Sequence, residues 1–146
     1  MDRGAAVALT VTTGALVALQ APLNAMLGRS LGDIGAASVN FIVGAVALTM
    51  LAFAVGGYGT GSDDSAPWYA WVGGGLLGAA YVTSVLITVR SLGATGVTAA
   101  TIAGQLAMSL VADRLGILGL EEKPITAARV AGVVLLGIGT FLVVRE

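Results

Sequence analysis

The sequence contains no cysteine and no histidine, and only 10% of its 146 residues are charged. Without cysteine there are no disulfides, no thiolate nucleophile and no thiolate metal site. Without histidine the commonest general base and metal ligand is missing too. No Ser/His/Asp triad and no HExxH motif can be assembled, and the glycine run Gly73–Gly75 is not followed by the Lys-Ser/Thr pair of a phosphate loop. An enzyme therefore has little to work with, and no catalytic residue, metal or cofactor is expected. Seven basic residues stand against eight acidic ones, a net charge of −1 with no basic block. Nucleic acid is not an expected partner.

What the sequence does have is apolar length. Hydrophobic residues make up 57% of the chain, and the mean hydropathy is +0.96. Soluble chains carry roughly 25% charged residues, so the composition belongs to the membrane class. A bilayer core about 30 Å thick needs roughly 20 apolar residues per helix. Five segments qualify, at about residues 5–27, 36–55, 69–89, 94–112 and 127–144. Their apolar runs are continuous and lack the alternation of a membrane β-barrel. The first run is too long for the core of a signal peptide and is read as a transmembrane helix. The expectation is an all-α integral membrane protein, one transmembrane domain over residues 1–146, in contact with lipid. The connections "GRSLGD" and "RSLG" are short. "GGYGTGSDDSAP" is the longest polar stretch, and Trp68, Tyr69 and Trp71 follow it as interfacial anchors.

Orientation follows from the basic residues in short loops. With five spans, one face receives Arg3, Arg114 and Lys123, with Arg129 just inside the last span. The other receives Arg29, Arg90 and Arg145. So small a bias leaves two readings: a partner or the insertion machinery fixes the orientation, or the same chain inserts both ways. We take the second as the expectation. Two antiparallel copies would make the inverted-repeat architecture of many transporters.

Polar residues interrupt the spans in a pattern. Gln20 and Asn24 are four apart in the first span, on one helix face. Pro22 between them removes a hydrogen bond to the Ala18 carbonyl, so a kink is expected. Backbone freed at membrane depth is tolerated against protein or a water-filled cavity. Asn40 lies near the start of the second span. In the fourth, Thr101, Gln105, Ser109 and Asp113 recur every four residues as one stripe. Such groups serve as interhelical glue, at about 0.6–2 kcal/mol each, or line a shared pathway. Their spread over several spans favours a pathway for a small polar or amphipathic solute. Asp113 has two readings: a solvated carboxylate paired with Arg114 or Lys123, or a group in gating or proton coupling. At a helix C-terminus it opposes the macrodipole, so something must offset it. Small residues recur at Gly74 and Gly78, and Ala128, Gly132 and Gly139 share a face of the last span, where helices can cross closely.

These residues resemble the YdcZ-like family of inner-membrane exporters, within the drug/metabolite transporter superfamily. The resemblance runs through Gln20, Asn24 and Leu27, then Phe41 and Gly44, then "PWYAWVGGGLLGAAYV" and "LGA". It ends with "IAGQLAMSLVADRLG" and "RVAGVVLL". It implies a five-span half-transporter of the bacterial cytoplasmic membrane that assembles antiparallel. Related small multidrug exporters carry a membrane-embedded glutamate in the first span, where this sequence has the neutral Gln20 and Asn24. The stretch "GVVLLGIG" also looks like their dimerisation helix, which points to Gly132 and Gly139 as the dimer interface. The functional expectation is a dual-topology secondary transporter, an antiparallel homodimer exporting a small solute by alternating access. Its rivals are a small dual-topology ion channel and a non-transporting assembly subunit.

Overall fold

The computed structural model describes residues 2–57 and 66–145. Residues 58–65, most of the longest polar loop, lie outside it. All regular structure among the described residues is helical: α1 (Arg3–Val55), α2 (Trp68–Leu115), a 3₁₀ turn (Ile117–Gly119) and α3 (Ala127–Val144). All three α-helices are long and apolar enough to cross a membrane. The expected fifth span coincides with α3. The first and second expected spans lie together in α1, and the third and fourth in α2.

The reason is that the expected loops shrink to one residue each. Helical dihedrals persist through "GRSLGD" except at Gly32, with φ 73° and ψ 163°. They persist through "RSLG" except at Gly93, with φ 67° and ψ 170°. This region of backbone space is essentially open to glycine alone. An added Cβ would meet nothing within 4 Å at either position, so the demand for glycine is purely a backbone one. In α1 the break reverses the chain. A straight helix would separate Gln20 from Asn40 by about 30 Å, yet their side chains lie 3.5 Å apart.

The two breaks also share a sequence. Arg29-Ser30-Leu31-Gly32 recurs as Arg90-Ser91-Leu92-Gly93, and each is followed three residues on by a glycine, Gly35 or Gly96. The match extends to local geometry. A Cβ on Gly35 would approach the Leu31 Cβ to 3.1 Å, and one on Gly96 the Leu92 Cβ to 3.2 Å. Left-handed glycines then end both helices, Gly56 at φ 64° and Gly116 at φ 58°. The N-termini of α1 and α3 are capped by side chains. Asp2 accepts from the Ala5 N–H, and Thr126 accepts from the Arg129 N–H.

The chain divides into two compact units, Met1–Arg90 and Ser91–Glu146. In the first unit Ala36, Ala37, Val82 and Leu86 form the core, with Leu27 against it. Alanines let the helices approach closely, which matters where lipid is as apolar as the core and packing, not water exclusion, drives association. Phe41 packs over Gly78, whose added Cβ would sit 3.2 Å from the ring. In the second unit α3 leans on the second half of α2: Thr140 donates its hydroxyl to the Ala99 carbonyl at 3.1 Å. Large apolar side chains lie on the outside, among them Phe53, Leu76 and Trp71, each more than two-thirds exposed. That distribution suits a lipid solvent.

Candidate functional site

The first unit carries a polar column along the first half of α1. Its lowest member is Gln20, whose Nε2 donates to the Asn40 Oδ1 at 3.5 Å, the outer limit of a hydrogen bond. One turn on is Asn24, the one buried polar side chain among the described residues, with 7% of its surface exposed. Its amide makes no hydrogen bond within the described residues. Yet no side-chain nitrogen or oxygen there is both sealed from solvent and unpaired. The Asn24 amide therefore reaches a narrow opening. Closing it off unpaired would cost about 1–3 kcal/mol. Pro22 is exposed, and dihedrals stay helical through it.

One further turn along, Gly28 is buried beneath an ion pair. The Arg90 Nη2 donates to the Asp33 Oδ1 at 2.5 Å. A Cβ on Gly28 would stand 3.0 Å from that Asp33 oxygen and 3.4 Å from the Arg90 nitrogen. Gly28 thus leaves room for a bridge between the residue after the first break and the residue three before the second. Hydropathy does not register this pair. The clue lies in the duplicated tetrapeptide, which sets Arg90 and Asp33 beside equivalent turns.

The second unit carries the stripe of α2. Thr101 and Asp113 are half-buried, while Gln105 and Ser109 are exposed. At its end lies a cavity of about 310 Å³, lined by Leu106, Leu110 and Val133, by Ser109, Asp113 and Arg129, and by Gly132. Thr101 and Gln105 do not line it. Gly139 is half-buried, and an added Cβ there or at Gly132 would meet nothing within 4 Å.

Asp113 pairs with neither Arg114 nor Lys123 through its carboxylate. The Arg129 Nη1 donates to its Oδ2 at 3.2 Å. The Lys123 backbone N–H donates to the Asp113 carbonyl at 2.8 Å, which closes the intervening loop. The pair answers the dipole problem. Asp113 sits in the last turn of α2 and Arg129 in the first turn of α3, so each charge opposes its own helix. Each offsets the other. A second cavity, about 400 Å³, lies at the loop, lined by Arg114, Glu122, Lys123, Pro124 and Ile125.

Among the described residues no group of acidic side chains is arranged to hold a metal ion. No curated protein and no solved structure matches the chain. The family described as "Putative inner membrane exporter, YdcZ" matches residues 5–142. With apolar helices throughout and polar groups gathered on helix faces, the chain belongs to this YdcZ family of membrane exporters.

Proposed function

We propose that this chain is one half of a solute exporter of the bacterial inner membrane. It makes five passes, the first two and the next two divided at Gly32 and Gly93, forms a single transmembrane domain and pairs antiparallel with a second copy. The solute is small and polar or amphipathic. It is held by the amides and hydroxyls of Gln20, Asn24, Asn40, Thr101, Gln105 and Ser109 and moved by alternating access. Pro22 supplies a kink that bares the Ala18 carbonyl, Asp113 couples movement to protons, and Gly132 and Gly139 form the dimer seam.

The observation that carries this reading is Asn24. The residue is buried, yet its amide makes no hydrogen bond among the described residues and keeps contact with solvent, which suits a carrier, where solute or water completes it. The nearly balanced basic residues support the antiparallel pairing. Because the chain lacks cysteine, single cysteines at Ser62 and Glu146 can be labelled from outside intact cells. In the proposed dimer each position is labelled in only part of the population, and each from both sides. Labelling of each from one side only, in every molecule, would refute the pairing. Transport itself is tested in proteoliposomes, with a solute found by screening metabolites for thermal stabilisation of the purified protein.

A further inference from the structure

We infer that the cavity beside Asp113 and Arg129 binds a small zwitterionic solute, an ammonium and a carboxylate on a short apolar body. The inference rests on the exporter reading and adds its substrate class. Three features of the cavity carry it.

First, the ion pair is open. Arg129 and Asp113 meet through one contact of 3.2 Å, and their side chains remain 40% and 32% exposed. A guanidinium has five donors and a carboxylate two acceptor oxygens, so both keep capacity for a ligand. Second, Ser109 is uncommitted. Ser38 and Ser84 donate their hydroxyls to the carbonyls four residues back. Ser109 makes no such bond among the described residues, and it lines the cavity one turn from Asp113. Third, the remaining wall is apolar, formed by Leu106, Leu110 and Val133. At about 310 Å³ the space lies at the small end of ligand pockets, roughly 300–1,000 Å³.

The charges select the solute. A pure anion drawn to Arg129 would weaken the bond to Asp113 and leave that carboxylate against the negative end of α2. A pure cation would do the reverse, leaving Arg129 against the positive end of α3. A zwitterion relieves both at once: its ammonium faces Asp113 and the α2 terminus, and its carboxylate faces Arg129 and the α3 terminus. Net charge in the cavity does not change.

The test measures binding, apart from transport, on the full chain in lipid nanodiscs. The probes are L-leucine, 3-methylbutylamine, which lacks the carboxylate, and 4-methylpentanoate, which lacks the ammonium. Leucine is expected to bind on the order of tenfold or more tighter than either. Asp113→Asn and Arg129→Gln should each weaken leucine by a similar factor. Either variant could fail to fold, so the charge exchange Asp113→Arg with Arg129→Asp is the second arm. It places each charge at the helix end that favours it. It should raise the melting temperature and still weaken leucine about tenfold. Equal binding of the three probes, no binding of any, or wild-type leucine affinity in the exchange variant would overturn the proposal. If leucine fails while another solute is exported, the exporter reading stands and this one falls. If leucine binds as expected but no solute crosses, the site stands and the exporter reading falls.

Discussion

Replacing Gly32 with alanine adds a methyl group that touches nothing, since no atom lies within 4 Å of where its Cβ would be. On contacts alone the change should be harmless. The backbone argues otherwise. At φ 73° and ψ 163°, Gly32 occupies a region that side-chain-bearing residues adopt at a cost of about 1–3 kcal/mol. Gly14 provides the control. It too has nothing within 4 Å of an added Cβ, but it sits inside the helical first half of α1. Alanine there should stabilise by roughly 0.5–1 kcal/mol, because glycine loses more freedom on entering a helix. Two substitutions of identical chemistry and identical empty surroundings should thus have opposite signs. The assay is reversible unfolding in mixed micelles, followed by circular dichroism. Gly93→Ala should match Gly32→Ala within error, since its dihedrals differ by less than 10°. A neutral or stabilising Gly32→Ala would refute the backbone argument, and a large difference between Gly32 and Gly93 would refute the equivalence of the two turns.

The other expectations concern contacts. Gly28→Ala drives a Cβ to within 3.0 Å of the Asp33 carboxylate and should destabilise by about 1–3 kcal/mol, as overpacking does; unfolding in the same micelles checks it, and a combined Asp33→Ala should recover part of the loss. Gln20→Leu, Asn24→Leu and Gln105→Leu should each weaken a transported solute by roughly 5- to 150-fold, the loss of one amide contact. Wild-type kinetics in all three, measured in proteoliposomes, would remove the amides from the pathway. Gly132→Leu and Gly139→Leu should reduce crosslinking between copies in membranes. Unchanged crosslinking would move the seam, with Gly74 and its open surroundings the next position to try.

How far the sequence discloses this structure depends on which force shaped each part. Apolar length is set by lipid and is written residue by residue, so α3 can be read off directly between Thr126 and Arg145. Turns are different. Polar composition marks where "GRSLGD" and "RSLG" interrupt the apolar runs. It does not show that helical dihedrals continue up to a single glycine on each side of the break, because that depends on backbone conformation and not on hydropathy. The repeat of Arg-Ser-Leu-Gly, with its trailing glycine, is the legible sign that the two turns obey one rule. Pairings across the fold are the least legible. Arg90 finds Asp33 at a distance of 57 residues, and hydropathy does not announce it; the duplicated tetrapeptide is the one sequence clue. Asp113 and Arg129 lie between these extremes. In a count of loop charges Arg129 merely weights one side of the membrane, and Asp113 is an acid near Arg114 and Lys123. Considered with helix polarity, both stand at the end that disfavours them. Neither would be placed there for the stability of its own helix, so each needs an opposite charge from elsewhere. In this structure each is that charge for the other, through a single contact that leaves most of their bonding capacity unused. A pair maintained for stability alone would be expected the other way round, with the arginine closing α2 and the acid opening α3. The observed order makes sense for a site whose charges are meant to be shared with a solute.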